Sequence, residues 1–295
     1  MQEVPGDLSL VRSVLHPTDL GPGSEAAFEH ALAIALLRQT KLTLLHVGKP
    51  DAPSGGGDPF PSVRATLARW GLLDKDSPRR AVYESFKVRV KKQVVRGRPL
   101  EAILRYAEQE PADLVVLATR GKEGAPGWLK PSVSRPLAHR SETMTLFIPR
   151  GSRGFVDAAS GNLSARKILV PVAAEPSGQP AIVLAARVAL ASHGIEGEPV
   201  EITTLHVGEG ELPPLDYPET PGCRWSRVVR KGNVIDEIVG AAERLPADLI
   251  VMASDGRNGI LDALRGSHSE QVLRRALCPL LVVPITAHER PLLVI

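Results

Sequence analysis

The segment richest in usable chemistry runs from residue 253 to residue 277. Gly256 is followed by nine residues, then Gly266-Ser267, then the helical run SEQVLRRAL. A glycine and a hydroxyl residue at a helix start offer free backbone N–H groups and an O–H donor to a phosphate. The same residues also make an ordinary tight turn and helix cap, and a glycine-rich loop alone is a weak signal. Arg257 and Arg265 flank this loop, and Lys122 and Lys130 flank its counterpart in the first half. Charged loop residues of this kind read first as solvated side chains. His268 is the one titratable group of catalytic type here, and with no partner carboxylate evident its catalytic reading is weak. No nucleophile–base–orienter set is present. Ser54-Gly-Gly-Gly-Asp58 has the look of a phosphate loop but follows the second strand rather than the first, and reads as a flexible connection.

The loop has a counterpart because the chain is an internal duplication. SVLHPTDL at 13–20 pairs with KILVPVAA at 167–174, and LTLLHVG at 42–48 with ITTLHVG at 202–208. The long match, GRPLEAILRYAEQEPADLVVLATRG at 97–121 with GNVIDEIVGAAERLPADLIVMASDG at 232–256, keeps a constant offset of 135 that persists to Pro149 and Pro284. Ordered matches across both halves exclude chance similarity. The expected domains are 1–150 and 166–286, with a linker at 151–165 and a tail at 287–295. The first copy carries about 25 extra residues between LHVG and the long match.

Each copy has one grammar. A short β-branched run ends in a turn, and a helical stretch follows (24–39 and 179–192), with Ser24 the expected N-cap. A strand ending in HVG, a third strand (86–96 and 225–231) and a helix (99–109 and 234–244) come next. A strand DLVVLAT or DLIVMAS then leads into the Gly-containing loop, and a helix and a last strand (TLFIP, LLVVP) close the unit. Continuous apolar strands alternating with helices predict an α/β fold of two doubly wound parallel-sheet domains. Ligands in such sheets sit beyond the carboxyl ends of the strands, at the switch point of strand order.

Both halves resemble universal stress protein domains. The resemblance rests on Pro17-Thr18-Asp19, Leu45-His46-Val47, Ala112-Asp113-Leu114 and the loop from Ala118. In the second copy it rests on Pro171, Leu205-His206-Val207, Ala247-Asp248-Leu249 and the loop from Ala253. It covers nearly the whole chain and implies an adenine nucleotide alpha hydrolase-like fold, with the last strands TLFIP and LLVVP paired across the domain interface, which would pack the halves as an intrachain pseudo-dimer and protect two sheet edges. ATP-binding members carry Gly-x2-Gly-x9-Gly-Ser/Thr in the loop, an Asp after strand one, and a strand-two Val whose backbone meets the adenine. Carried over by position, this implies Val207, Ala253, Gly256, Gly266 and Ser267 in the second copy, and Asp19, Val47, Gly121 and Ser132 in the first. The implied ligand is ATP or a related nucleotide, with Mg2+ as its companion.

The departures are complementary. The first copy keeps Asp19 but has Ala118 for the leading glycine and Pro131 for the third. The second keeps Gly256, Gly266 and Ser267 but has Ala253 for the leading glycine and Ala173 for the Asp. Proline lacks an N–H and fixes φ, so Pro131 supplies no phosphate contact. Losing the Asp removes an acceptor worth on the order of 1–3 kcal/mol where its contacts matter. The second half is therefore the expected nucleotide site. The leading expectation is a nucleotide-binding regulator that signals by conformation rather than turnover. A partner-binding scaffold with decayed sites and, more weakly, a slow ATPase stand as alternatives, and further pairing of two chains stays open.

Composition bounds these readings. The 295 residues are 43% apolar and 23% charged, an ordinary globular balance. A net charge of +3 is too mild for a nucleic-acid surface. The run KVRVKK at 87–92 alternates with Val and reads as one solvated strand face. Two cysteines without Cys/His metal spacing support no disulfide framework or metal site, and Cys278 is expected to be buried. No apolar run reaches membrane-span length, so the expected location is the cytoplasm.

Overall fold

The computed structural model describes residues 11–48, 60–119, 143–152, 154–193, 199–254 and 268–285. In the first half, strands β1 (Ser13–Thr18), β2 (Lys41–Val47), β3 (Arg89–Val95), β4 (Leu114–Thr119) and β5 (Met144–Pro149) alternate with helices. These are α1 (Glu25–Arg38), α2 (Val63–Arg69), α3 (Ala81–Phe86) and α4 (Pro99–Gln109). The second half has β6 (Lys167–Val172), α5 (Gln179–His193), β7 (Val200–Val207), β8 (Cys223–Arg230), α6 (Val234–Arg244), β9 (Leu249–Ser254), α7 (His268–Arg275) and β10 (Leu280–Pro284). The extra residues of the first copy form α2 and α3, and β3 begins at Arg89 because α3 runs to Phe86.

The ten strands of the described residues lie in one sheet, ordered β3-β2-β1-β4-β5-β10-β9-β6-β7-β8. Each half is parallel and doubly wound, with its switch point between β1 and β4 or between β6 and β9. The halves join through β5 and β10, the expected pair, which run antiparallel with Leu280 opposite Phe147, Leu281 opposite Leu146 and Val282 opposite Thr145. The core follows the sheet faces rather than the domains. One cluster gathers α1, α2 and α5 against side chains of both halves, and another gathers α4, α6 and α7 on the opposite face.

The repeated motif Asp is part of this framework. The Asp113 carboxylate accepts from Arg12 N–H at 2.9 Å and the Ser13 hydroxyl at 3.0 Å, and Asp248 accepts from the N–H groups of Arg166 and Lys167 at 2.8 and 2.9 Å. Each Asp ties the start of the fourth strand of its half to the start of the first.

Helix α1 is buried from Ala27 through Ala35, more than one apolar stripe requires. Its outer side is covered as well. Arg69 of α2 pairs with buried Glu29, and residues 154–165 turn back as a short hairpin closed by a Val156–Leu163 bridge. His30 joins this hairpin to α1. Its Nδ1 donates to the Ala26 carbonyl at 2.6 Å and its Nε2 accepts from Phe155 N–H at 3.0 Å. The linker is thus packed onto the first half rather than tethered loosely. Cys278, expected to be buried, is only partly so, because it follows α7 at the rim of the sheet.

Burial holds both His16 and His30 neutral, with each pKa lowered from 6.5 to about 4. The unfolded chain therefore binds more protons than the folded one between these values. Stability is fully present above pH 6.5 and falls toward pH 4, by on the order of 3 kcal/mol for each histidine. His16→Val, which installs the residue found at 170, should make the loss between pH 7 and pH 5 about 2 kcal/mol smaller in urea unfolding. An unchanged loss would show that His16 does not drive it. Phe147→Ala, at the junction of the halves, should cost about 3–5 kcal/mol and unfold both halves together. Two separate transitions in the wild type would contradict a shared core.

Candidate functional site

The crevice opens where β1 and β4 stop pairing. Their register ends at Leu15–Val115, whereas β1 follows β2 as far as Thr18–His46. Beyond that point the His16 side chain takes over, its Nδ1 donating to the Val116 carbonyl at 3.0 Å. The carboxyl ends of β1, β2 and β4 enclose a cavity of about 230 Å³. Its lining includes Asp19, Ser24, Val47, Ala118, Thr119 and Arg150. This is the position that the switch-point rule selects.

Asp19 anchors the turn after β1. One carboxylate oxygen accepts from Gly21 N–H at 2.9 Å and from the Ser24 hydroxyl at 2.6 Å. Partial burial pushes the carboxyl up, but the Ser24 and Gly21 bonds and the Arg150 charge outweigh it and hold Asp19 below its ordinary value. Ser24 departs from expectation here. It precedes α1 with helical φ and ψ and makes no side-chain cap, because its hydroxyl is spent on Asp19. A short 3-10 turn at Pro22–Ser24 leads into α1 instead.

His46 and His206 take the bland role in both halves. Their Nδ1 atoms donate to the carbonyls of Thr18 at 3.0 Å and Val172 at 3.1 Å, clamping the ends of the first two strands. The glycine after each HisVal sits close against that ring. A Cβ on Gly48 would collide with His46 Nε2, and one on Gly208 would come within 3.0 Å of His206 Nε2. The LHVG motif is therefore a structural clamp that sets Val47 and Val207 at the strand ends.

Of the residues expected at a nucleotide site, Asp19 and Val47 come together in the first-half cavity, with Ala118 beside them. Val207 closes β7 and Ala253 is the penultimate residue of β9, at the corresponding edge of the second half. Gly121, Ser132, Gly256, Gly266 and Ser267 lie outside the described residues. The sequence reading overlooked Arg150 and Thr119. Arg150 follows β5, and its N–H donates to the Thr119 carbonyl at 2.7 Å. The signal was there: in the constant-offset alignment Arg150 meets Ile285.

The family model for the universal stress protein family matches residues 11–149 and again 164–284. The chain belongs to the universal stress protein family. Family relatives span most of it. A universal stress protein of Mycobacterium tuberculosis is 25% identical over 295 residues, covering 88% of this chain and 92% of its own. The fold likeness extends to a universal stress protein from Archaeoglobus fulgidus, with TM-score 0.57 and 19% identity over 92% of this chain and 96% of that one. It also extends to a protein described as a putative universal stress protein from Pseudomonas aeruginosa, with TM-score 0.56 and 17% identity over 93% of each. The two matched segments are the two halves of the sheet, so the family unit occurs here in tandem.

Among the described residues, no three His, Cys, Asp or Glu side chains gather to hold a metal, and no helix is long and apolar enough to cross a membrane.

Ser24→Ala should raise the Asp19 pKa toward its ordinary carboxylate value, because it removes a hydrogen bond to the charged form. Carboxyl-carbon NMR titration reads this directly. An unshifted Asp19 would mean that the Ser24 bond does not hold the carboxylate.

Proposed function

We propose that this protein is a nucleotide-binding stress regulator that takes an adenine nucleotide at the carboxyl edge of its first half. The reading rests on one observation: Asp19, Val47 and Arg150 line a common cavity at the switch point. Asp19 keeps a second carboxylate oxygen for ribose hydroxyls while the first holds the turn. The end of β2 supplies backbone for the base, and Arg150 supplies a cation for phosphate. ATP fits the donor and acceptor types. The residues that would hold it are Asp19 and Val47, with Gly121 and Ser132 on the loop that follows β4.

In the second half, the resemblance assigns Val207, Ala253, Gly256, Gly266 and Ser267 to the matching phosphate-loop site, with Mg2+ the companion of ATP. Ala173 and Ile285 stand in that half where the first has Asp19 and Arg150, which favours a scaffold role for it. The preference expected for the second half is accordingly shifted to the first. The output is a conformational signal carried by the sheet that joins the halves, and turnover is not part of the reading.

Calorimetric titration of the full chain with ATP and Mg2+ should give saturable binding, and Asp19→Ala should weaken it about tenfold or more, as expected for losing a charged acceptor. No heat at millimolar nucleotide would reject the reading in favour of a scaffold.

A further inference from the structure

Arg150 marks the sharpest difference between the halves. Its guanidinium lies across Gly23 so closely that a Cβ on Gly23 would collide with Nε and Nη2. No side chain is tolerated at 23 while the arginine keeps that place. The second half has Ser177 in place of Gly23, Ile285 in place of Arg150, Ala173 in place of Asp19 and Gly178 in place of Ser24. The four differences form one set: the cation, the glycine that admits it, the carboxylate in its field and the hydroxyl that holds the carboxylate.

Arg150 has work left to do in this pocket. Asp19 feels its charge, yet its hydrogen bonds come from Ser24 and Gly21. Among the described residues no hydrogen bond or ion pair engages the guanidinium. Thr119 is 3% exposed, lines the same cavity and has a hydroxyl with no hydrogen-bond partner among the described residues. A planar guanidinium and a buried hydroxyl together suit a phosphate oxygen pair.

We propose that the first-half pocket selects a nucleoside monophosphate, and that Arg150 with Thr119 is its phosphate subsite. The inference rests on the reading of this pocket as a nucleotide site. Two features favour a single phosphate over a polyphosphate. Among the described residues that line the cavity, Arg150 is the one Lys or Arg, a single cation for a single phosphate. Position 131 is a proline, so the family's third loop glycine has lost the N–H that would serve a phosphate chain. The phosphate contact therefore moves from loop amides to a side chain beside Asp19. Gly23 is a positioning residue for that side chain.

The test is calorimetry on the full chain with adenosine, AMP and ATP, following the binding component that Asp19→Ala removes. AMP should bind at least about tenfold tighter than adenosine and tighter than ATP. Arg150→Ile should bring AMP affinity down to that of adenosine. Gly23→Ala keeps the charge but displaces it, and should do the same. Equal affinity of the wild type for AMP and adenosine overturns the proposal, as does an Arg150→Ile variant that loses both ligands in equal measure. ATP binding tighter than AMP overturns the monophosphate preference. If no nucleotide heat disappears in Asp19→Ala, the nucleotide reading of this pocket itself fails, and the subsite with it.

Discussion

Three antiparallel residue pairs between β5 and β10 turn two parallel sheets into one. Phe147, Leu146, Leu280 and Leu281 meet there, all essentially removed from solvent. The antiparallel direction has a geometric consequence. Each half keeps its own carboxyl edge, and the two edges point opposite ways along the strands, so a ligand crevice in one half does not face the crevice in the other. Joining the edges also covers strands that would otherwise present unpaired backbone groups to other chains. The apolar clusters on both faces run through the junction, which binds the stability of one half to the other.

On this shared frame the repeated motifs divide into two kinds. Asp113 and Asp248, and His46 and His206, do the same structural work in both halves: carboxylates hold strand starts, imidazoles clamp strand ends. The residues that differ cluster at the ligand edge. Asp19, Gly23, Ser24 and Arg150 are spatially linked, because the guanidinium lies against the bare glycine and the carboxylate accepts from the Ser24 hydroxyl. Losing one weakens the reason to keep the others, which gives a physical account of their joint absence from the second half.

His16 belongs with this asymmetry. The strands separate at the same register in both halves, yet only the first has a side chain there that can donate to the neighbouring strand's carbonyl. The cost is a buried ring whose Nε2 has no partner among the described residues and whose protonation the fold resists. His30 is buried to a similar degree but uses both nitrogens, one on its own helix and one on the linker. Acid sensitivity and linker docking are therefore consequences of how the first half is covered.

The duplication, the alternation of strand and helix, the bounds of α4, α6 and β10, and the pairing of the last strands were all legible in the sequence. They follow from periodicity, from glycine and proline punctuation and, for the last strands, from the family resemblance. The residues implied by resemblance at Asp19 and Val47 do meet at one crevice. The use of Ser24 was misread, because a serine before a helix is equally able to cap the helix or to bond a carboxylate, and only the fold of the Asp19 turn decides between them. Arg150 was invisible for a related reason. It is far in sequence from Asp19 and Gly23, and an arginine after a strand is ordinary until the sheet order brings β5 beside β4 and sets its guanidinium over a glycine. Local pattern determined which elements form and how they repeat. The long-range strand order alone determined which side chains share a cavity, because that depends on contacts between residues more than a hundred positions apart.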